Sequence, residues 1–408
     1  MDRGAYGQAL ANVEPALKLL QGLRDDPERL RAELGVRLLE VRIVRVLYAA
    51  SSAESLQTFE RVCELSEQLG DTSALLRGLL GMAFWYSNRG ELVRGAEIAR
   101  RCLELAERTP NAEMLPAVNY QLAMCAYYSG DLLQAASQLS DLMRSLGSAQ
   151  KLAGVGVLPF SLWATLPGHL ALVQMVLGKP DEALRLSNEA LSLARQLKHA
   201  YTLGWAIQRV GLVRRYRREP EAARELAEAF ITLAEEHGFQ ERVLGGRAIR
   251  GWAMIELGQR EEGVAELEAA AVSAPLFQTI LAQAYARVGA ADKAPAIIDE
   301  ELARVERSGA HLFEPELYQA KGEAILRRDS PATAEAEACF RKAIQIARVQ
   351  SAKWWELAAT TRLAGLMGKQ GKRDEARTML AEIYNWFTEG LDTADLKDAK
   401  ALLDELRA

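Results

Sequence analysis

The feature that most constrains this fold is a short segment that keeps returning: a turn residue, four residues, then a small residue opening an apolar stretch. Gly90 leads to Gly95, Gly130 to Ala135, Gly178 to Ala183 and Gly258 to Gly263. Gly289 with Ala294, Gly371 with Ala376 and Gly4 with Ala9 repeat the spacing. Degenerate copies lose the glycine but keep the small residue: Ala50 with Ser55, Arg218 with Ala223, Pro331 with Ala336. From Ala50 to Gly371 the copies recur on average about every 40 residues, the period of stacked helical hairpins.

A second small residue precedes most turns, as in Ala83, Ala123, Ala171, Gly211, Gly251, Ala282, Ala324 and Ala364, with Ile43 the exception. Two helices approach closely only where small side chains occupy their crossing point, so the two small positions mark where each hairpin crosses. One helical turn beyond, a larger apolar residue usually follows, Phe59, Leu139, Leu267, Ile298, Phe340 or Leu380, with Ala99, Ser187 and Ala227 the exceptions. Pro180, Pro220 and Pro331 fall near the first turns of second helices, where a missing N–H costs nothing. Acids such as Glu261, Glu262, Asp374 and Glu375 crowd the same turns and complement the helix dipole. No apolar–polar alternation is long enough for a strand. The expectation is an all-α, right-handed superhelical solenoid over residues 1–408. It opens with a half hairpin (1–22), continues through nine hairpins (about 28–388) and closes with a capping helix (about 392–407).

Composition fits this and narrows the function. The 408 residues are 49% hydrophobic and 26% charged, so the chain is expected to fold in water. Thirty glycines and twelve prolines are too few for a turn-rich sandwich or barrel. A net charge of -5 argues against a nucleic-acid binder, whose affinity rests on neutralising phosphates. The four cysteines, 63, 102, 125 and 339, are scattered, which excludes a disulfide scaffold or a zinc cluster. No leader-like start is read, and the expected compartment is the cytoplasm. The four histidines share no metal spacing, and neither metal nor cofactor is expected.

These repeated residues resemble tetratricopeptide repeats in a long variant, most clearly at Leu281, Ala282, Tyr285 and Ala294, and at Ala336, Phe340 and Ala343. A narrower resemblance covers roughly 80–408. The stretches Arg218–Arg224, Gly251-Trp252-Ala253, Glu316-Leu317-Tyr318 with Lys321-Gly322-Glu323, and Tyr384–Gly390 with Asp392 and Asp395 carry it. They are similar to the C-terminal repeat region of bacterial class III adenylate/guanylate cyclase-like proteins, in which a cyclase domain and a STAND-type ATPase precede the repeats. They also resemble the sensor region of maltose-regulon activators. The resemblance implies a regulatory region and a cyclase/ATPase module as partner. It implies no catalysis here, because Gly365, Gly368 and Lys369 have the wrong spacing for a phosphate-binding loop. The step from Gly258 to Gly289 is short and Pro295 is expected inside the next helix, so the superhelix is expected to be perturbed around 272–296. The half hairpin at Gly4–Ala9 is expected to mark a chain cut from something longer or begun at an internal start, with a natural half-repeat cap as the alternative.

In this repeat family the first helix of each hairpin lines the inner surface. Counting back from the turns places Phe84, Tyr120, Met124, Tyr127, Trp205, Gln208, Arg215 and Trp252 there, with Met175. Aromatic rings with a few polar partners suit a protein segment or small effector; the plainer alternative is that they only pack neighbouring repeats. Glu40, Val44, Thr279 and Gln283 look less suited. Arg214–Arg218 reads as solvated turn charge, with anion recognition as the alternative. Leu152–Gly178 carries no formal charge, but Pro159, Pro167 and three glycines interrupt it, so no membrane span is expected. The functional expectation is a non-catalytic binding solenoid, with a self-associating scaffold as the alternative and an enzyme the least supported class.

Overall fold

A computed structural model describes residues 3–24, 26–47, 53–108, 114–146, 158, 160–271, 275–288, 292–328 and 332–407. Among these residues there are twenty helices and no strand. A lone α1 (Arg3–Gln21) comes first. Helix pairs follow: α2 (Pro27–Leu47) with α3 (Ala53–Leu69), α4 (Thr72–Asn88) with α5 (Leu92–Glu107), and α6 (Leu115–Ser129) with α7 (Leu132–Ser145). Next are α8 (Leu162–Val176) with α9 (Pro180–Leu197), α10 (Ala200–Tyr216) with α11 (Pro220–Glu236), and α12 (Gln240–Glu256) with α13 (Arg260–Ala270). The last pairs are α14 (Pro275–Arg287) with α15 (Ala294–Ser308), α16 (Glu314–Leu326) with α17 (Thr333–Val349), and α18 (Lys353–Lys369) with α19 (Arg373–Tyr384). A final α20 (Ala394–Glu405) packs on α18 and α19.

The hairpin crossings fall where the small residues stand. Ala83, Ala123, Ala171, Ala282 and Ala364 are fully buried, as are their opposites Ala135, Ala183, Ala294 and Ala376. At α12–α13 a Cβ on Gly251 would sit 2.6 Å from the Gly263 carbonyl, and one on Gly263 would sit 2.6 Å from the Gly251 carbonyl. Real Cβ atoms never come so near, so both positions exclude every side chain. Leu139, Leu267, Ile298, Phe340 and Leu380 lie fully buried beside their crossings. The turns close left-handed: φ is +88° at Gly130, +90° at Gly178 and +91° at Gly258. Arg218 takes φ +57° at the equivalent place without glycine's freedom. Gly289, Pro331 and Ala50 lie outside the described residues.

Two local expectations are corrected. Pro295 sits in the first turn of α15, where its missing N–H is harmless, so it does not break that helix. Pro167 does not interrupt its segment: it lies inside a continuous α8 that is buried almost all round. No helix among the described residues is long and apolar enough to cross a membrane. Of the short repeat, α13 and α14 remain, 11 and 13 residues long against 17 for α12.

First helices of successive hairpins touch one another, α8 with α10, α10 with α12, and so on to α18; they form the inner layer. The layer curves far enough that α8 also meets α18. Later turns therefore rest on earlier ones. The Leu312 N–H donates to the Tyr128 carbonyl at 3.1 Å. The Gln350 side chain fills the space a Cβ on Gly130 would take, and Trp386, Lys353 and Phe387 do so at Gly178.

Candidate functional site

The inner layer lines a partly open cavity of about 90 Å³. Its wall comes from the first helices α10, α12, α14, α16 and α18, with α20 closing one side. That is room for a side chain or the end of a small molecule, since drug-sized ligands need roughly 300 Å³ or more.

A chain of polar contacts runs along this wall. Arg215 Nη2 donates to Gln283 Oε1 at 2.6 Å, and Gln283 Nε2 donates to Glu316 Oε1 at 2.9 Å. The other oxygen of Glu316 accepts the Tyr216 hydroxyl at 3.2 Å. Both oxygens of Glu316 are thus engaged by neutral donors, and Arg215 reaches the carboxylate only at 3.7 Å. Arg215 is 5% exposed, yet its Nε and Nη1 find no acceptor among the described residues. Nor does the indole N–H of the buried Trp355, on the same wall. Burial and the Glu316 carboxylate push the Tyr216 hydroxyl well above its ordinary range, so it stays a donor. A buried donor without an acceptor costs free energy until something supplies one. Chemically the wall offers N–H groups to an acceptor; among the described residues no cluster of three His, Cys, Asp or Glu could hold a metal.

The rim is ionic. Arg218 pairs with Asp398 at 2.6 Å, and Arg287 and Arg362 share Glu323 at 3.4 and 2.9 Å. Burial raises the Asp395 carboxyl above its usual range although Arg218, Arg287 and Arg362 pull the other way. The basic run at 214–218 is therefore not solvated turn charge. Arg217, also 5% exposed, reaches Asp181 at 2.9 Å, the Pro180 carbonyl at 3.1 Å and Asp392 at 3.7 Å.

The inner-face residues chosen from the sequence do not gather at one place. Arg215 and Trp252 line the cavity. Phe84, Tyr120 and Trp205 belong to an aromatic group nearer the N-terminus: Phe84–Tyr120 ring centres are 6.1 Å apart, and Trp205 reaches Phe160 and His169 at 5.2 and 5.5 Å. In that group the His169 Nδ1–H donates to the Thr165 carbonyl, leaving Nε2 to accept the Tyr120 hydroxyl at 3.0 Å. Tyr127, Met124 and Met175 are buried in the core, and the Gln208 amide fills the space beside Gly245. Thr279 turns its hydroxyl to the Pro275 carbonyl, and Glu40 pairs with Arg37; the Val44 side chain lies outside the described residues. Gln283, judged plain, links Arg215 to Glu316, and Trp355 was missed altogether. The same count carried to the turn at Gly371 gives Ala358 and Thr361 on the cavity wall but passes over Trp355.

No family model matches the chain, and no curated protein matches it. Solved structures do. The Rap protein complexed with Competence and Sporulation Factor is 13% identical with a TM-score of 0.61, over 92% of this chain and 99% of that one. The APC/C hetero-tetramer Cut9–Hcn1 is 14% identical with a TM-score of 0.52, over 97% of this chain and 67% of that one. The STAND protein with a tetratricopeptide repeat sensor from Pyrococcus horikoshii is 14% identical, over 95% of this chain and 55% of that one, with a TM-score of 0.45. At such identities the likeness is one of fold: the chain is an all-α tetratricopeptide-type helical-repeat solenoid.

Proposed function

We propose that this chain is a non-catalytic repeat module that binds a protein segment or small effector on its inner face. One observation carries the reading: Arg215 and Trp355 hold N–H groups without acceptors on the wall of a cavity built by five successive first helices. The Rap protein, whose fold this chain shares, was solved with a bound factor. The occupant would supply a carbonyl or carboxylate to that wall. It would favour the curvature in which the later hairpins rest on the earlier ones, and any module attached to the solenoid would feel that bias. The sequence resemblance extends the proposal to a sensor region of a larger cyclase- or ATPase-bearing signalling protein, a point tested by the reading frame adjoining the first codon.

The direct test is affinity selection of a randomised pentapeptide library on the full chain, repeated on Ala358→Phe, which plugs the cavity from α18. Peptides retained by the wild type should bind the plugged variant at least tenfold more weakly. Equal binding to both would sink the cavity as the site. A second reading, self-association, has its own support in Leu19, Leu23 and Leu39, which are 75%, 59% and 49% exposed on α1, α2 and their connection. Sedimentation over a hundredfold range of concentration separates the two, since only a scaffold grows without a ligand.

A further inference from the structure

Where the inner helices α8, α10 and α12 meet, two guanidinium groups share one indole. The Cζ atoms of Arg209 and Arg242 lie 4.4 and 4.3 Å from the centre of the Trp205 ring. Arg209 is only 8% exposed, and its Nε has no acceptor. Its Nη2 meets His169 Nε2 at 3.4 Å, a long contact to a lone pair that the Tyr120 hydroxyl already uses. Arg242 donates to the Tyr201 hydroxyl at 2.8 Å and lies over that ring at 5.1 Å. The Trp205 indole N–H has no acceptor either.

Among the described residues no carboxylate pairs with either charge. The groups that act on Arg209 are the Tyr120, Tyr127 and Tyr128 side chains and Arg242 itself, a like charge, and burial depresses its pKa. A buried cation without a carboxylate is costly, and the faces of aromatic rings return only part of that cost. Trp205 and Arg242 are half-buried, so the edge of the group faces solvent, while the Trp205 indole N–H and Arg209 Nε lie buried behind it.

We propose that Arg209, Arg242 and the Trp205 N–H form a binding site for a phosphate monoester. The count of charges selects the ligand. A carboxylate would neutralise one guanidinium and leave the other, whereas a phosphate monoester carries about -1.5 to -2 at neutral pH and three acceptor oxygens. Guanidinium–phosphate bonds are among the strongest a protein makes. His169 adds no charge of its own: its Nδ1 proton is committed to Thr165, and burial holds its pKa well below the ordinary value. The phosphate could be borne by a small molecule or by a phosphorylated side chain.

The test is calorimetric titration and thermal melting of the full chain with inorganic phosphate, phosphoserine and a phosphoserine-containing pentapeptide, at ionic strength fixed with chloride. Saturable binding and a raised melting temperature are expected. Arg242→Gln should weaken binding tenfold or more. Arg209→Met should lose binding yet melt higher than the wild type, since the unanswered charge is gone; a purely structural arginine would melt lower. Equal affinity for the three probes assigns the phosphate group alone, and tighter binding of the peptide assigns a phosphorylated segment. No saturable binding by the wild type, or unchanged binding by Arg242→Gln, overturns the proposal. Ala358→Phe should keep full phosphate affinity, so this site and the cavity fail or stand separately.

Discussion

Glu389 caps the first turn of α9, in which Asp181 stands. Its Oε1 accepts the backbone N–H of Asp181 at 3.0 Å and of Glu182 at 3.1 Å, satisfying two donors at the start of α9. In return Asp181 Oδ2 accepts the N–H of Gly390 at 2.8 Å, 209 residues away in sequence. The two carboxylates hold the end of the superhelix to its middle, and Arg217 sits beside them on Asp181. An N-cap lost from a helix costs ~1 kcal/mol. Glu389→Ala should cost about that in denaturant unfolding and speed hydrogen exchange at the start of α9. Combined with Asp181→Ala the losses should fall short of additive, since both changes break one clasp. Strict additivity would mean that the two ends are held elsewhere.

Two turn glycines separate backbone strain from contact between superhelical turns. Gly178 and Gly258 have nearly the same left-handed φ, +90° and +91°. A Cβ on Gly258 meets nothing within 4 Å, whereas one on Gly178 comes 2.7 Å from Trp386 Cζ3 and 2.9 Å from Lys353 Cβ. Gly258→Ala should therefore cost about 1–2 kcal/mol, the strain of a side chain in that region alone. Gly178→Ala should cost more by whatever the α18 and Trp386 contacts contribute. Equal losses in chemical denaturation would show that those contacts add nothing.

The hairpin was legible because its signal is local. Gly251 and Gly263, or Ala83 and Gly95, lie within a dozen residues of each other, and their size records a crossing that only small residues permit. The clasp was not legible. Arg217, Gln350 and Glu389 find partners set by the rotation accumulated over several repeats, a quantity no single repeat encodes. This is why Arg217 and Arg218 looked like turn charge although they reach Asp181 and Asp398. The candidate site was legible in part: counting inward positions reached Arg215 and Trp252. Arg209 and Arg242 escaped because neither stands at a counted position, and Gln283 because its two partners come from neighbouring repeats.

The cysteines should behave as core hydrophobes. Burial pushes the Cys63 and Cys102 thiols up to about 12, and burial raises Cys125 and Cys339 as well. The thiolate is the reactive form, so almost none exists at pH 8. Dithiobisnitrobenzoate should label the native protein slowly, with Cys102 and Cys125 released at the rate of unfolding, and label all four at once in denaturant. Rapid native labelling at Cys102 would contradict the packing described for α5.

His169 should make the fold sensitive to acid. Burial, seconded by the charge of Arg209, holds its pKa well below 6.5, while in the unfolded chain it returns to about 6.5. Between those two values the unfolded state binds a proton that the folded state refuses. Stability from this group is complete above pH 6.5 and is lost as pH falls below it, by at most about 1.4 kcal/mol per pH unit. The loss stops at the folded-state pKa, where both forms are protonated. His169→Gln cannot take up the proton, so its stability should fall less steeply than that of the wild type across this window. It also keeps an acceptor for the Tyr120 hydroxyl, which limits the damage to the aromatic group. Denaturation midpoints measured from pH 7.5 downward should show two curves that diverge below 6.5; parallel curves would mean that His169 is protonated as readily in the folded chain as in the unfolded one.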